Sequence, residues 1–395
     1  LRLWVLLLRG AGAAYNLALS LRMQGALDDW ALERALDEIV RRHQTLRTRI
    51  EVRDDDPVQV VQPPRPLRLR VEDLGNADGE AADDALRRMA EEEAARPFAA
   101  EGPFLRVRLL RAADDDHVLL WTLHHLVADG WSLGIFQDEL LSLYRAFATE
   151  TEAALPPLQV QYGEHALQQR RELSGGVLDR LVGWWRERLA GAPALLELPT
   201  DHPRPAQPSG AGASFWFGFP EGTAERVARV ARERGATPFM VLLAAFQALL
   251  SRWSGQDDVV VGTPIANRTR PELEPLIGLF VNTLAIRGRL DGDPAFGELL
   301  ARYHHLAQNI HGDDDLEQLM HVQQELEAKD GWRLQQLVDS TLDVDAGLTE
   351  GGEVDAKQTV AHVVLLAGGG VRGTRTAARL PPRMTTRNLP DSEPR

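Results

Sequence analysis

At 395 residues, with 44% hydrophobic and 26% charged positions, the chain is too long for one ordinary core and too apolar to be disordered throughout, so two globular lobes are expected. A formal charge of -14 disfavours nonspecific binding to nucleic acid or to an anionic membrane surface, because both need a basic face that displaces counterions. The absence of cysteine excludes a disulfide framework, a thiol nucleophile and Cys-ligated zinc, which fits a reducing, cytoplasmic setting.

The opening "LRLWVLLLRG" is a short apolar run without a separate basic region, a cleavage site or membrane-spanning length. It begins at Leu1 and reads as the inside of an element of a longer protein. Leu17, Leu19, Leu21 and Met23 then alternate with Ala18, Ser20 and Arg22, the period of a half-buried strand. From Asp28 to Leu46 the apolar positions Leu32, Leu36, Ile39, Val40 and Leu46 recur at helical spacing. The run Asp54 to Asp56 reads as a solvated turn before a strand "PVQVVQ", and Glu80 to Ala95 as a surface helix. Strands follow at Phe104 to Leu110 and His117 to His125, and a helix starts from Ser132, whose hydroxyl suits an N-cap. The proline-marked "LPPLQVQY" is the expected boundary between lobes. Beyond it come a helix through "LDRLVGWWRERLAG", a proline-rich connector from Leu198 to Gly210, and an apolar helix capped by Thr237 and Pro238 that ends near Trp253. "DVVVGTPIANR", Asp258 to Arg268, reads as a buried strand entering a loop, and Leu279 to Leu290 as the next strand. Strands and helices in both halves indicate two α/β lobes of related architecture.

The stretch "WTLHHLVADGWS", Trp121 to Ser132, concentrates the chemistry. On an extended chain neighbouring side chains face opposite ways, so His124 and His125 diverge and do not ligate one metal together. One should enter packing while the other faces what lies at the strand end. Asp129 is placed to brace the turn, and Gly130 to supply unusual dihedrals or let a substrate approach the backbone. An isolated HxxxD is weak evidence, and its company decides what it means.

That company resembles the condensation domain of nonribosomal peptide synthetases. The family's HHxxxDG signature is matched by His124, His125, Asp129 and Gly130, followed by Trp131 and Ser132. "RLW" at Arg2 to Trp4 is similar to the end of its first block, "RHQTLRT" at Arg42 to Thr48 to its second, and "IGLFVNTLAIR" at Ile277 to Arg287 to its fifth. "QYGEHALQQ" is a loose counterpart of a further block, and "HGDDDLEQL" a worn sixth, keeping His311, Asp313 and Glu317. After Leu319 the family pattern stops. Residues 300 to 342 are instead similar to a segment of ATP-binding-cassette proteins of the F subfamily, and "GGGVRGTRT" lacks the Lys of a phosphate loop.

The resemblance implies an α/β fold of two chloramphenicol-acetyltransferase-like lobes, forming a pseudo-dimer with a channel between them. The lobes are placed at residues 1 to 160 and 161 to 342, the part of the second lobe from 300 being open to the competing resemblance, with a disordered or foreign tail at 343 to 395. A helix is expected over 300 to 342, with His304 and His305 on its surface. The implied reaction is amide formation between a carrier-bound acyl or peptidyl thioester and the amine of a carrier-bound aminoacyl thioester. In family terms His125 is the catalytic base or proton acceptor, while the N–H of Gly130 is the natural oxyanion donor. His124 packs, Asp129 pairs with Arg287, and Trp131, Ser132 and Asn282 line the channel. No metal and no directly bound cofactor are implied. The substrates ride on phosphopantetheine arms of donor and acceptor carrier proteins beside an adenylation domain, without nucleic acid or membrane. "DGWS" leans toward an L-configured donor. The alternatives are a CoA-dependent acyltransferase of the same superfamily, an epimerisation domain, and an inactive truncated or chimeric relic acting as an interaction module.

Overall fold

The computed structural model describes residues 2–10, 12–54, 56–74, 80–203, 218–302, 340–344 and 363–367. It divides into two compact units. Of the described residues, the first holds those up to 168 together with 268–280, and the second those of 169–267 and from 281 onward.

In the first unit, α1 (Arg2–Leu8) leads into β1 (Asn16–Gln24), α2 (Asp29–Arg42), a 3-10 turn at Gln44–Arg47, and the hairpin β2 (Thr48–Arg53) and β3 (Asp56–Val61). There follow β4 (Val71–Asp73), α3 (Glu80–Ala95), β5 (Leu105–Ala113), β6 (Asp116–His124), α4 (Gly130–Ala148) and α5 (Tyr162–Glu172). Four strands form one sheet in the order β1-β6-β5-β4, antiparallel except for the parallel pair β4 and β5.

Strand β6 sits inside this sheet and is buried on both faces, which explains its unbroken "HVLLWTLH". The parity is clean. Leu119, Trp121 and Leu123 join the main core with residues of α2 and α4, including Leu36, Ile39, Phe136 and Leu140. Val118 and Leu120 face the other way, toward Leu86 of α3 and Leu110 of β5. Burying each such aliphatic side chain contributes roughly 1.5–3 kcal/mol.

Helix α2 ends at Arg42, four residues short of the expected Leu46, because His43 leaves helical geometry and its ring is held by other elements. Asp28 caps its start by accepting from the Ala31 N–H at 2.9 Å. The N-cap of α4 is Asp129, not Ser132: its carboxylate accepts the Ser132 N–H at 2.9 Å, so the helix begins at Gly130.

In the second unit α6 (Gly176–Arg188), α7 (Thr223–Glu233) and α8 (Pro238–Ser254) precede the antiparallel pair β7 (Asp258–Ile265) and β8 (Asn282–Arg289). Helix α7 carried no expectation from sequence. Thr237 caps α8 and Gly255 closes it in the left-handed region at φ 70°. Gln247, fully buried, donates to the carbonyls of Val259 and Ile286 at 3.3 and 2.8 Å, fastening α8 across both strands.

The break between units falls at Gln168, beyond the expected boundary near 160, and the first unit takes back Arg268–Phe280. The cause is local: Tyr162 stacks edge-on against Phe280 at 5.1 Å and donates its hydroxyl to the Leu279 carbonyl at 2.8 Å. The expected strand at Leu279 therefore starts only at Asn282. Further along, β9 (Ser340–Val344) pairs antiparallel with β10 (Val363–Ala367), so residues 340–342 are strand where helix was expected. The other expectations for 303–339, 345–362 and 368–395, including His304, His305 and the worn sixth block, lie outside the described residues, as does most of the proline-rich connector. Among the described residues no single helix is long and apolar enough to cross a membrane.

Candidate active site

The signature stretch spans the end of β6, a turn at 125–127 and the start of α4. His124, the last strand residue, has no exposed surface and lies among the rings of Tyr15, Phe98 and Phe104 at 6.3, 5.8 and 5.8 Å. Its Nδ1 accepts the Leu126 N–H at 3.1 Å, so the neutral ring carries its hydrogen on Nε2. Burial, with the nearby His125 and Arg106 adding to it, pushes this imidazole down to about 4.

His125 is oriented differently. It is half-buried, its backbone N–H donates to the Tyr15 carbonyl at 2.9 Å, and its Nδ1 lies 3.0 Å from the Ala128 carbonyl. A carbonyl oxygen only accepts, so Nδ1 must carry the hydrogen and the lone pair of the neutral ring is on Nε2. Burial lowers the imidazole below the usual histidine range, while the Asp129 carboxylate opposes that shift. The ring is thereby kept neutral near pH 7, with a proton-accepting atom available.

Asp129 is 1% exposed and collects donors from three directions. Oδ1 receives the Ser132 N–H at 2.9 Å, the Ser132 hydroxyl at 2.7 Å and Arg268 Nη2 at 3.2 Å, while Oδ2 receives the Phe280 N–H at 2.9 Å. The cation is therefore Arg268, and the expected pairing with Arg287 is overturned. Arg287 lies on β8 opposite Val260 and reaches diagonally to Asp258 of β7, with contacts of 2.8 and 2.5 Å. Its remaining donors go to the carbonyls of Arg188 and Ala190.

Arg268 is threaded through the loop that follows β7. Its Nη1 donates to the carbonyls of Leu273 and Leu276 at 2.6 and 2.7 Å, and its guanidinium lies 4.1 Å from the Phe280 ring centroid. Burial lowers its pKa and Asp129 opposes the change. Ser132 is fully buried, so its expected place on a channel wall is also overturned; its hydroxyl meets both backbone polar groups of Gly278. Trp131 is 45% exposed, with its indole N–H on the Glu274 carbonyl at 3.1 Å. Asn282 is buried at the start of β8, where its side-chain oxygen accepts the Thr283 N–H at 2.9 Å. Gly130 is exposed and helical, not left-handed; a Cβ there would meet nothing within 4 Å. Its backbone N–H lies in the first turn of a 19-residue helix, at the positive end of the helix dipole.

Sequence reasoning missed the side chains that hold residues 277–280. The Ile277 N–H donates to His43 Nδ1 at 3.3 Å, and its carbonyl accepts the Thr45 hydroxyl at 2.8 Å. His43 Nε2 is 2.9 Å from Glu139, which also pairs with Arg42. Gly278 has a packing reason, since a Cβ would lie 2.3 Å from the Tyr162 ring. His43 and Thr45 belong to "RHQTLRT", so their signal was motif membership without a stated role, whereas Arg268 closes a stretch read only as a strand entering a loop. Among the described residues no group of three His, Asp or Glu is placed to hold a metal ion.

A family model described as Condensation domain matches residues 2–358. The chain belongs to that family. The match continues well beyond Leu319, where the pattern had been expected to stop, and runs through the segment similar to the ATP-binding-cassette F subfamily. This condensation domain is 43% identical over 317 residues to a linear gramicidin synthase of Brevibacillus parabrevis, covering 80% of the chain but 6% of that protein. It is 44% identical to phosphinothricin tripeptide synthetase PhsC of Streptomyces viridochromogenes, covering 76% of the chain and 28% of that protein. The chain thus spans a small part of the relatives it matches. Among solved structures, the X-domain from teicoplanin biosynthesis is similar with a TM-score of 0.72 and 27% identity, covering 81% of this chain and 72% of that one. The first condensation domain of the CDA synthetase shares the fold with a TM-score of 0.65 at 22% identity, covering 78% and 72%.

Proposed function

We propose that this condensation domain forms an amide between a carrier-bound acyl or peptidyl thioester and the amine of a carrier-bound aminoacyl thioester. The observation that carries the reading is the His125 tautomer: with Nδ1–H committed to Ala128, Nε2 is the atom that takes a proton. A free α-amino group has a pKa of about 7.7–8.0, so a fair fraction is neutral near pH 7 and can attack directly. As the C–N bond forms, nitrogen becomes positively charged and one of its own protons becomes acidic; His125 Nε2 accepts that proton while orienting the amine. The carbonyl oxygen turns anionic, and the exposed Gly130 N–H at the start of α4 is suited to receive it. Collapse of the tetrahedral adduct breaks the C–S bond and leaves a thiolate on the donor's phosphopantetheine arm, which His125 can reprotonate. Ser132 is buried and engaged, which favours direct transfer over a covalent acyl-serine.

Donor and acceptor carrier proteins and an adjoining adenylation domain are the partners that go with this reading, as does a cytoplasmic location. Trp131 and Asn282 are assigned to substrate contact and to shaping its surroundings, and the donor to the L configuration. The division of labour is between residues 1 to 168 with 268 to 280, which carry the chemistry, and a second lobe from 169 onward. A second reading, an interaction module without amide-forming activity, draws on the likeness to the X-domain, which has been solved in complex with OxyB from teicoplanin biosynthesis at a TM-score of 0.71.

The test presents two loaded carrier proteins to the purified chain and follows a dipeptidyl thioester by mass spectrometry. Product from the parent, with a loss of about 100-fold or more in a folded His125→Ala variant, supports catalysis by this residue. No product from the parent favours the interaction module.

A further inference from the structure

The Ser132 hydroxyl is a crowded junction. Its oxygen lies 2.7 Å from Asp129 Oδ1 and 2.9 Å from the Gly278 carbonyl, while Arg268 Nη2 and the Gly278 N–H approach it, each at 3.1 Å. A hydroxyl has one hydrogen and two lone pairs. The two N–H donors take the lone pairs. The single hydrogen has a carboxylate and a neutral carbonyl to choose between, and both the shorter distance and the charge favour Asp129. Every bonding position of the hydroxyl is then used inside the protein, so it has none left for substrate.

What the junction does follows from its neighbours. Asp129 is the N-cap of α4 and the carboxylate whose field acts on His125 four residues earlier. The hydroxyl fixes which way that carboxylate faces and withdraws part of its charge. It also ties the first turn of α4 to Gly278, whose segment is held from the other side by His43, Thr45 and Tyr162. We infer that Ser132 is a positioning residue that acts through Asp129, setting the charge that faces His125 and the angle at which α4 presents its first N–H groups.

The inference rests on His125 being the proton acceptor. Among the described residues, the charged and titratable groups near His125 are His124 from β6, Tyr15 before β1 and Asp129 before α4; Arg268 and Tyr162 face Asp129 in turn. Of these, His124 and Tyr15 make no contact with Ser132, whereas Asp129 and Arg268 both bond to its hydroxyl and would lose that bond together. Removing the hydroxyl takes one donor from the carboxylate, which then stabilises the imidazolium more strongly. The His125 titration midpoint should rise.

The experiment follows the histidine ring signals by NMR across pH in the full chain, with His125 assigned by its loss in His125→Gln. Ser132→Ala should move the His125 midpoint upward and leave His124 neutral, whereas Ser132→Thr, which keeps the hydroxyl, should restore the parent midpoint. In the two-carrier assay Ser132→Ala should lower kcat on the order of tenfold with KM unchanged, and move the acid limb of the rate profile in the same direction as the NMR midpoint. If Ser132→Ala does not fold, Ser132→Cys keeps the volume with weaker hydrogen bonds and should give a smaller shift of the same sign. A variant that melts at lower temperature but keeps the parent midpoint and rate profile would reduce Ser132 to a structural residue. An inactive parent would instead overturn the amide-forming reading, and the NMR midpoint would still decide the role of Ser132.

Discussion

Two arginine–aspartate pairs, one in each unit, have the same chemistry and different surroundings. In Asp129–Arg268 both side chains are 2% exposed and the pair is enclosed by Ser132, Phe280 and backbone carbonyls. In Asp258–Arg287 the side chains are 31% and 11% exposed, and the aspartate faces water. Distance alone would rank them wrongly, because the half-exposed pair is the shorter, at 2.5 Å against 3.2 Å. Burial ranks them the other way. A charge removed from water needs its partner, whereas a charge near water can exchange that partner for solvent.

The largest effect should come from breaking the enclosed pair. Asp129→Ala is expected to cost about 3–5 kcal/mol in denaturant unfolding, since it strands a buried guanidinium and uncaps α4 together. Replacing both partners in Asp129→Ala/Arg268→Met should cost less than the sum of the single changes. Additive losses would show that the two charges are not coupled.

A buried imidazole sharpens the comparison between enclosed and half-open sites. The unfolded chain binds a proton at the His124 position near pH 6.5, whereas the folded one resists until about pH 4. Below the unfolded pKa the unfolded state therefore holds more protons, and stability is lost as pH falls from about 6.5 toward 4, by roughly 3 kcal/mol in all. In His124→Phe that part of the pH dependence should flatten. An unchanged slope between pH 6 and 4 would assign it to other groups.

Gly278→Ala examines the packing that encloses Asp129. Its Cβ meets the Tyr162 ring and is 2.9 Å from the Phe280 ring, neither of which can move into solvent, so about 1–3 kcal/mol should be lost. Gly278→Ala combined with Tyr162→Leu should recover part of that loss, and no recovery would place the strain elsewhere. The smallest effect is expected at the half-open pair. Asp258→Asn should change unfolding by under about 1 kcal/mol and become silent in high salt. A cost comparable with that at Asp129 would break the comparison.

The amino-acid sequence by itself determined a good deal. Alternation in "NLALSLRMQ" and the apolar run "HVLLWTLH" specified the strands β1 and β6, and Thr237 and Pro238 marked the start of α8, because period and capping are local properties. The different surroundings of His124 and His125 arise where β6 ends, since His125 already lies in the turn beyond the strand, while the motif order pointed to the family. Tertiary structure alone decided the partner of Asp129. Arg287 ends a recognisable block and Arg268 the loop after a strand, and nothing in linear order records that the Arg268 guanidinium reaches Asp129 while Arg287 reaches diagonally to Asp258 on the neighbouring strand. The same limit hid the return of Arg268–Phe280 to the first unit and the enclosure of Ser132. Both depend on side-chain hydrogen bonds to backbone groups more than a hundred residues away, and such contacts leave no period in the sequence to read.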